Sequence, residues 1–150
     1  MKLVDANVLL TAANQAADAH ESARGWLLDA LEGNETIGLT WSVVLAFVRL
    51  STQRLIFPQP LGVRDASSMI DQWLAAPPTQ MVRPGNLHRR LLFDLLEASG
   101  AAGNLVNDAH LAALAIEHHG EVVSFDTDFA RFPGLRWHLP GEARARRNPG

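Results

Sequence analysis

The chain is 150 residues long, 47% hydrophobic and formally -3 at pH 7, which is the apolar content of one globular domain with no room for a second. It has no cysteine, so disulfides, thiolate metal sites and cysteine nucleophiles are excluded. With 13 basic against 16 acidic residues the overall field does not favour nucleic acid, and any such binding has to be local. No apolar run reaches the length of a membrane span, and MKLVDANVLL lacks the flanks of a signal peptide, which points to a cytoplasmic protein that does not engage a membrane.

Lys2 to Val4 reads as a very short buried strand that ends at Asp5, followed by a turn and a helical segment from Val8 to Ala13. Asp5 or Asn7 taken alone would be a helix cap. Asp18 to Glu32 is an amphipathic helix with a capping-box-like Asp18 and Glu21, an inner face of Ala19, Ala23, Trp26, Leu27 and Ala30, and Gly33 at its end. Thr36 to Leu39 is a second strand. Thr40 then caps a helix from Trp41 to about Thr52 that is apolar nearly all round and is therefore expected to be buried. Arg49, its one charge, shares a face with Ser42 and Ala46, and reads either as a snorkelling residue or as a phosphate or partner contact.

After the loop from Phe57 to Gly62 come a helix from Val63 to Ala75, a strand from Gln80 to Arg83, and an amphipathic helix from Leu87 to Ser99. The next helix is expected to open at Asn104 and to stop at His119 and Gly120. It carries Asp108 on the same stripe as Leu111, Ala112 and Ala115, where a carboxylate is out of place unless a cation, a polar network or a wet cleft lies beside it. A strand from Glu121 to Ser124 delivers Asp126 and Asp128 just past its end, and an edge strand from Leu135 to His138 closes the series. Residues 141–150, GEARARRNPG, hold three Arg and one Glu, which leaves the first 140 with ten basic and fifteen acidic residues, net -5. Without apolar periodicity this basic tail is expected to be disordered.

Strands alternate with helices throughout, which argues for an α/β fold with a short-stranded, mainly parallel sheet covered on both faces. Ligands of such sheets collect outside the carboxyl ends of the strands. Asp5, Asp108, Asp126 and Asp128, brought together there, would repel one another unless a cation were present, and all-oxygen sites without Cys or His suit Mg²⁺ or Mn²⁺. A phosphate-bearing substrate follows, cleaved by metal-activated water. The six histidines have no paired metal spacing and read as structural. A phosphate-binding glycine loop and a serine-hydrolase elbow are both missing. An aspartyl-phosphate mechanism needs a partner lysine, and the only Lys is Lys2.

Asp5-x-Asn7 after the first strand, Asn107-Asp108-Ala109-His110-Leu111-Ala112-Ala113 on the late helix, and the run from Ser124 to Phe132 resemble a PIN-domain ribonuclease, and most closely a VapC-type toxin of a bacterial toxin-antitoxin pair. The resemblance spans residues 1–140 and implies a three-layer α/β/α fold, Mg²⁺ or Mn²⁺ at Asp5, Asp108 and Asp126 with Asp128 and Asn7 as helpers, endonucleolytic cleavage of RNA, a homodimer and a cognate antitoxin protein. Family members commonly carry a Glu three places before the Arg that matches Arg49, and here that place is Ala46. The missing carboxylate keeps a second reading open, a degenerate PIN-like domain that binds RNA or a protein partner without cutting.

Overall fold

The computed structural model describes residues 1–100, 103–142 and 146–150. Its core is a sheet ordered β3-β2-β1-β4-β5-β6, with β1 Lys2–Val4, β2 Ile37–Leu39, β3 Thr79–Met81, β4 Glu121–Val123, β5 Arg136–His138 and β6 Arg146–Arg147. The first five strands run parallel and β6 is antiparallel to β5. The helices are α1 Ala6–Ala13, α2 His20–Glu32, α3 Trp41–Ser51, α4 Val63–Ala75, α5 His88–Ser99 and α6 Val106–Glu117. Right-handed crossovers put α1 to α4 on one face and α5 with α6 on the other, in keeping with the packing of α1 on α2 and α3 and of α5 on α6. This is the mainly parallel, helix-flanked architecture that strand-helix alternation implies.

Winding proceeds outward from β1 through β2 to β3, then returns to lay β4 on the other side of β1. The crevice of such a sheet opens where the winding reverses, here between β1 and β4. Both strands are short and apolar, with Leu3, Val4, Val122 and Val123 fully buried. The chain must therefore turn immediately after them, and whatever follows Val4 and Val123 is placed at that crevice.

Several boundaries depart from the sequence reading for local reasons. Asp18 does not cap α2, whose N-cap is Ala19 without a side-chain bond, and α6 starts after a 3-10 turn at Gly103–Leu105 rather than at Asn104. Thr40 does cap α3, accepting from Val43 N at 3.2 Å. That helix is not wholly buried: Val43, Val44, Phe47 and Ser51 face inward, while Trp41 and Leu45 are 60% and 63% exposed. An open cleft runs along this flank of α3, so its second apolar face meets solvent rather than a neighbouring element. His119 ends α6 in the left-handed region at φ 53°. Gly120 follows because a Cβ there would lie 2.9 Å from the Met1 carbonyl oxygen.

The expectation of a disordered tail does not hold for its described end. Arg147 pairs with Arg136 and Arg146 with Trp137 across β5 and β6, and Asn148 is 7% exposed. Periodicity could not reveal this, because a two-residue strand has no period and Asn148 is held by hydrogen bonds rather than by apolar burial. Ala143 to Ala145 lie outside the described residues.

Candidate active site at the reversal of the sheet

Asp5 ends β1 and is also the N-cap of α1, so its helix-capping and site roles coexist. One carboxylate oxygen, Oδ1, accepts from Ala6 N at 2.7 Å, and the other, Oδ2, accepts from the Ser124 hydroxyl at 2.7 Å. Ser124, fully buried just past β4, in turn accepts from Asn7 Nδ2 at 2.8 Å and from the backbone N–H of Asp126 at 2.9 Å. Asn7 Oδ1 takes the Phe125 N–H at 3.1 Å. The two chain segments that flank the reversal are thus knitted by one hydroxyl and one amide. Asp126 caps the 3-10 turn Thr127–Arg131, its Oδ1 accepting from Asp128 N at 2.8 Å. Asp128 leans the other way, toward Arg131 Nε at 3.4 Å.

Asp108 arrives from the first turn of α6. Burial, followed by the charges of Asp5, Asp126 and Asp128, lifts its carboxyl to about 7. Asp108 thus feels each of the other three carboxylates. Asp5 is also raised, chiefly by burial and further by Asp126, against the lowering effect of its bonds from Ser124 and Ala6. Among the described residues no lysine or arginine is among the causes for either group.

A cleft of about 720 Å³ opens beside them, lined by Asp5, Asp108 and Asn107 on one side and Ser42, Ala46 and Arg49 on the other. Arg49 is exposed, and among the described residues it makes no ion pair. Asp126, Asp128 and Asn7 do not line the cleft. Asn7 and Asp126 are linked to Asp5 through Ser124, Asp126 also by charge, and Asp128 is joined to Asp126 through its N–H. Among the described residues no three His, Asp or Glu side chains are gathered round a single point. The carboxylates of Asp5 and Asp126 accept instead from Ala6, Ser124 and Asp128.

Ser124 was part of the late motif, but its central role was not legible, since a serine before an Asp-x-Asp run reads as a turn residue. A second polar cluster also escaped the sequence. His88 Nε2 meets His110 Nδ1 at 2.8 Å, and Glu117, accepting from Gly85 N and Leu87 N at 2.9 Å each, lies 3.7 Å from His88 Nδ1. It ties the start of α5 to α6, which agrees with the structural reading of the histidines.

The model of the PIN domain matches residues 2–135, and the chain belongs to that family. Within it the chain is similar to Ribonuclease VapC37 of Mycobacterium tuberculosis, 48% identical over 93% of this chain and 97% of the relative. Ribonuclease VapC33 of the same species is 36% identical over 93% and 98%. Among solved structures, VapBC2 from Rickettsia felis bound to a DNA fragment from its promoter superposes with a TM-score of 0.66, at 21% identity over 92% of this chain and 97% of that one. VapC20 of M. tuberculosis, described as a sarcin-ricin loop cleaving toxin, gives 0.63 at 14% identity over 87% and 93%. The last fifteen residues of the chain lie beyond the family match.

Proposed function

We propose that the protein is a metal-dependent endoribonuclease acting as the toxin of a toxin-antitoxin pair. The observation that carries the reading is the meeting of Asp5 and Asp108 at one cleft, with Asp126 behind them and Arg49 on the opposite wall. Relatives named as ribonucleases at 36–48% identity support the reaction class. The donor set is all oxygen and lacks a neutralising side chain, which suits Mg²⁺ or Mn²⁺: Asp5 and Asp108 would meet the ion at the cleft, and Asp126, which stands outside the cleft lining, would be drawn in as the third carboxylate. A bound divalent ion would supply Lewis acidity toward a phosphodiester and a nucleophilic water.

The chain's own residues then have separable tasks. Ser124 and the Ala6 N–H fix the direction of the Asp5 carboxylate, Asn7 fixes Ser124, and the Asp128 N–H orients Asp126. Arg49 offers a planar donor array to a phosphate on the open side of the cleft. The cleft's opening toward solvent suits a polymer substrate rather than an enclosed small molecule. Complexes of VapBC and FitAB among the structural neighbours support an antitoxin partner, and an Arg of that partner would find charge complementarity at the carboxylates. A homodimer and a cytoplasmic location complete the reading. Among the described residues no helix is long and apolar enough to cross a membrane.

Incubation of structured RNAs with the protein and Mg²⁺ or Mn²⁺ should yield cleavage that a chelator stops. Failure to cut any RNA with either metal at high protein concentration would leave the second reading, a binding domain without catalysis, for which Ala46 is the specific observation. Ala46 faces the cleft with Ser42 and Arg49, so Ala46→Glu adds a carboxylate toward the acidic cluster. It is expected to tighten Mn²⁺ binding about tenfold, as affinity follows the number of charged ligands. The variant should melt lower than the parent without metal and regain the difference with it. Equal loss of stability in both conditions, with unchanged affinity by calorimetric titration, would mark Ala46 as packing alone.

A further inference from the structure

Beyond the family match, Asn148 sits in the molecule as a core residue. Its amide Nδ2 donates to the backbone carbonyls of Phe129 and Phe132, each at 2.7 Å, and its Oδ1 accepts from Trp137 Nε1 at 3.1 Å. The backbone N–H of Asn148 donates to the Leu135 carbonyl at 2.9 Å. Both amide hydrogens and the side-chain oxygen are therefore engaged, and the indole N–H sets which way the amide faces. Arg146, two residues earlier, lies over the Trp137 ring at 5.3 Å and pairs with Glu142, which seats the short strand that leads into Asn148.

The two carbonyls that Asn148 bridges belong to the turn at Thr127–Arg131 and to Phe132, its C-cap. A 3-10 segment of five residues has poor internal hydrogen bonding, and here the Phe129 and Phe132 carbonyls receive long local bonds, from Phe132 N and Leu135 N at 3.3 Å each, to which Asn148 adds a shorter one. The other end of this same turn is Asp126, whose carboxylate direction is fixed by the Asp128 N–H. The turn is consequently held at one end by the Ser124 hub and at the other by Asn148.

We propose that Asn148 is a positioning residue of the active site: by clamping the Phe129 and Phe132 carbonyls it closes the turn that presents Asp126 toward Asp5 and Asp108. The role of Asp126 rests on the site reading above, whereas the clamp itself does not. Asn148→Asp keeps the shape but replaces two donors with an oxygen that faces two carbonyls. Asn148→Ala serves where that repulsion prevents folding.

In the full chain, hydrogen exchange at the Asp128 amide should quicken in either variant, while exchange at Val122 and Val123 of β4 stays slow. Mn²⁺ affinity by calorimetry should fall about tenfold, the scale seen when supports behind a metal ligand are removed, and raising Mn²⁺ should recover the RNA cleavage rate. A variant that only melts lower, with parental Asp128 exchange and parental Mn²⁺ affinity, would show that Asn148 merely fastens the chain end and would overturn the proposal. Because exchange is read without RNA, a wild-type protein that fails to cleave would count against the site reading and leave the clamp to be judged by exchange alone.

Discussion

Asp108→Asn is expected to lower RNA cleavage by at least about a hundredfold, the upper end of what even a ligand's supports cost when removed, while raising the melting temperature of the metal-free protein. The Asp108 carboxyl ionises near its ordinary 3.8 in the unfolded chain but is pushed up to about 7 in the fold, by burial and by Asp5, Asp126 and Asp128. The folded state thus holds the proton more tightly. Its penalty is absent below the unfolded value, grows as pH rises between the two, and is complete above about 7. Solvent screening of this half-buried group reduces the effect to about 1 kcal/mol, or about 2–4 °C for a chain of this size. At pH 8 the variant should therefore melt above the parent, and near pH 4 the two should coincide. Saturating Mn²⁺ should reverse the order at pH 8, since only the parent keeps the full ligand set. A variant that melts lower at every pH would identify Asp108 as a packing residue.

Ser124→Ala is the second large effect. The hydroxyl donates to Asp5 and accepts from Asn7 Nδ2 and the Asp126 N–H, all within 2.9 Å. Its removal strands one acceptor and two donors at the crevice, at a cost of about 2 kcal/mol if water satisfies some of them. The melting temperature should drop by about 4–8 °C, and cleavage at a temperature where the variant is fully folded should fall about 10–100-fold. Activity at the parental level in the folded variant would mean that the Asp5 carboxylate keeps its direction through the Ala6 N–H alone.

The contrast between Asp5 and Ser124 explains how much was legible beforehand. Asp5, Asp108, Asp126 and Asp128 stand out because a carboxylate beside apolar strands or on an apolar stripe has a physical cost, and cost is visible in a sequence. The strand-helix alternation was visible for the same reason, with Val63–Ala75 and Lys2–Val4 read to the residue. Ser124 is cheap to place at a turn or surface as well as here, and its three bonds depend on the reversal of winding between β1 and β4, which one-dimensional periodicity does not encode. Asn148 is harder still, because its amide donates to backbone carbonyls, which leave no trace in side-chain pattern. The open flank of α3 was misjudged because apolar content reports what an element prefers to cover, not whether a neighbour exists to cover it.

The inner side of α6 bears on the site in another way. Ala109, Ala112, Ala113 and Ala115 are all fully buried, with Leu111 and Leu114 buried as well, so most of the buried positions of this helix are filled by methyl groups. The thickness of that layer is a ruler: it sets how far Asp108, one residue ahead of Ala109, stands from the end of β1. A valine or leucine at any of these places would lift the helix and widen the span that a single ion has to bridge, without altering one acidic residue. Tolerance to substitution at these alanines should therefore follow the geometry of the acid cluster as closely as it follows packing.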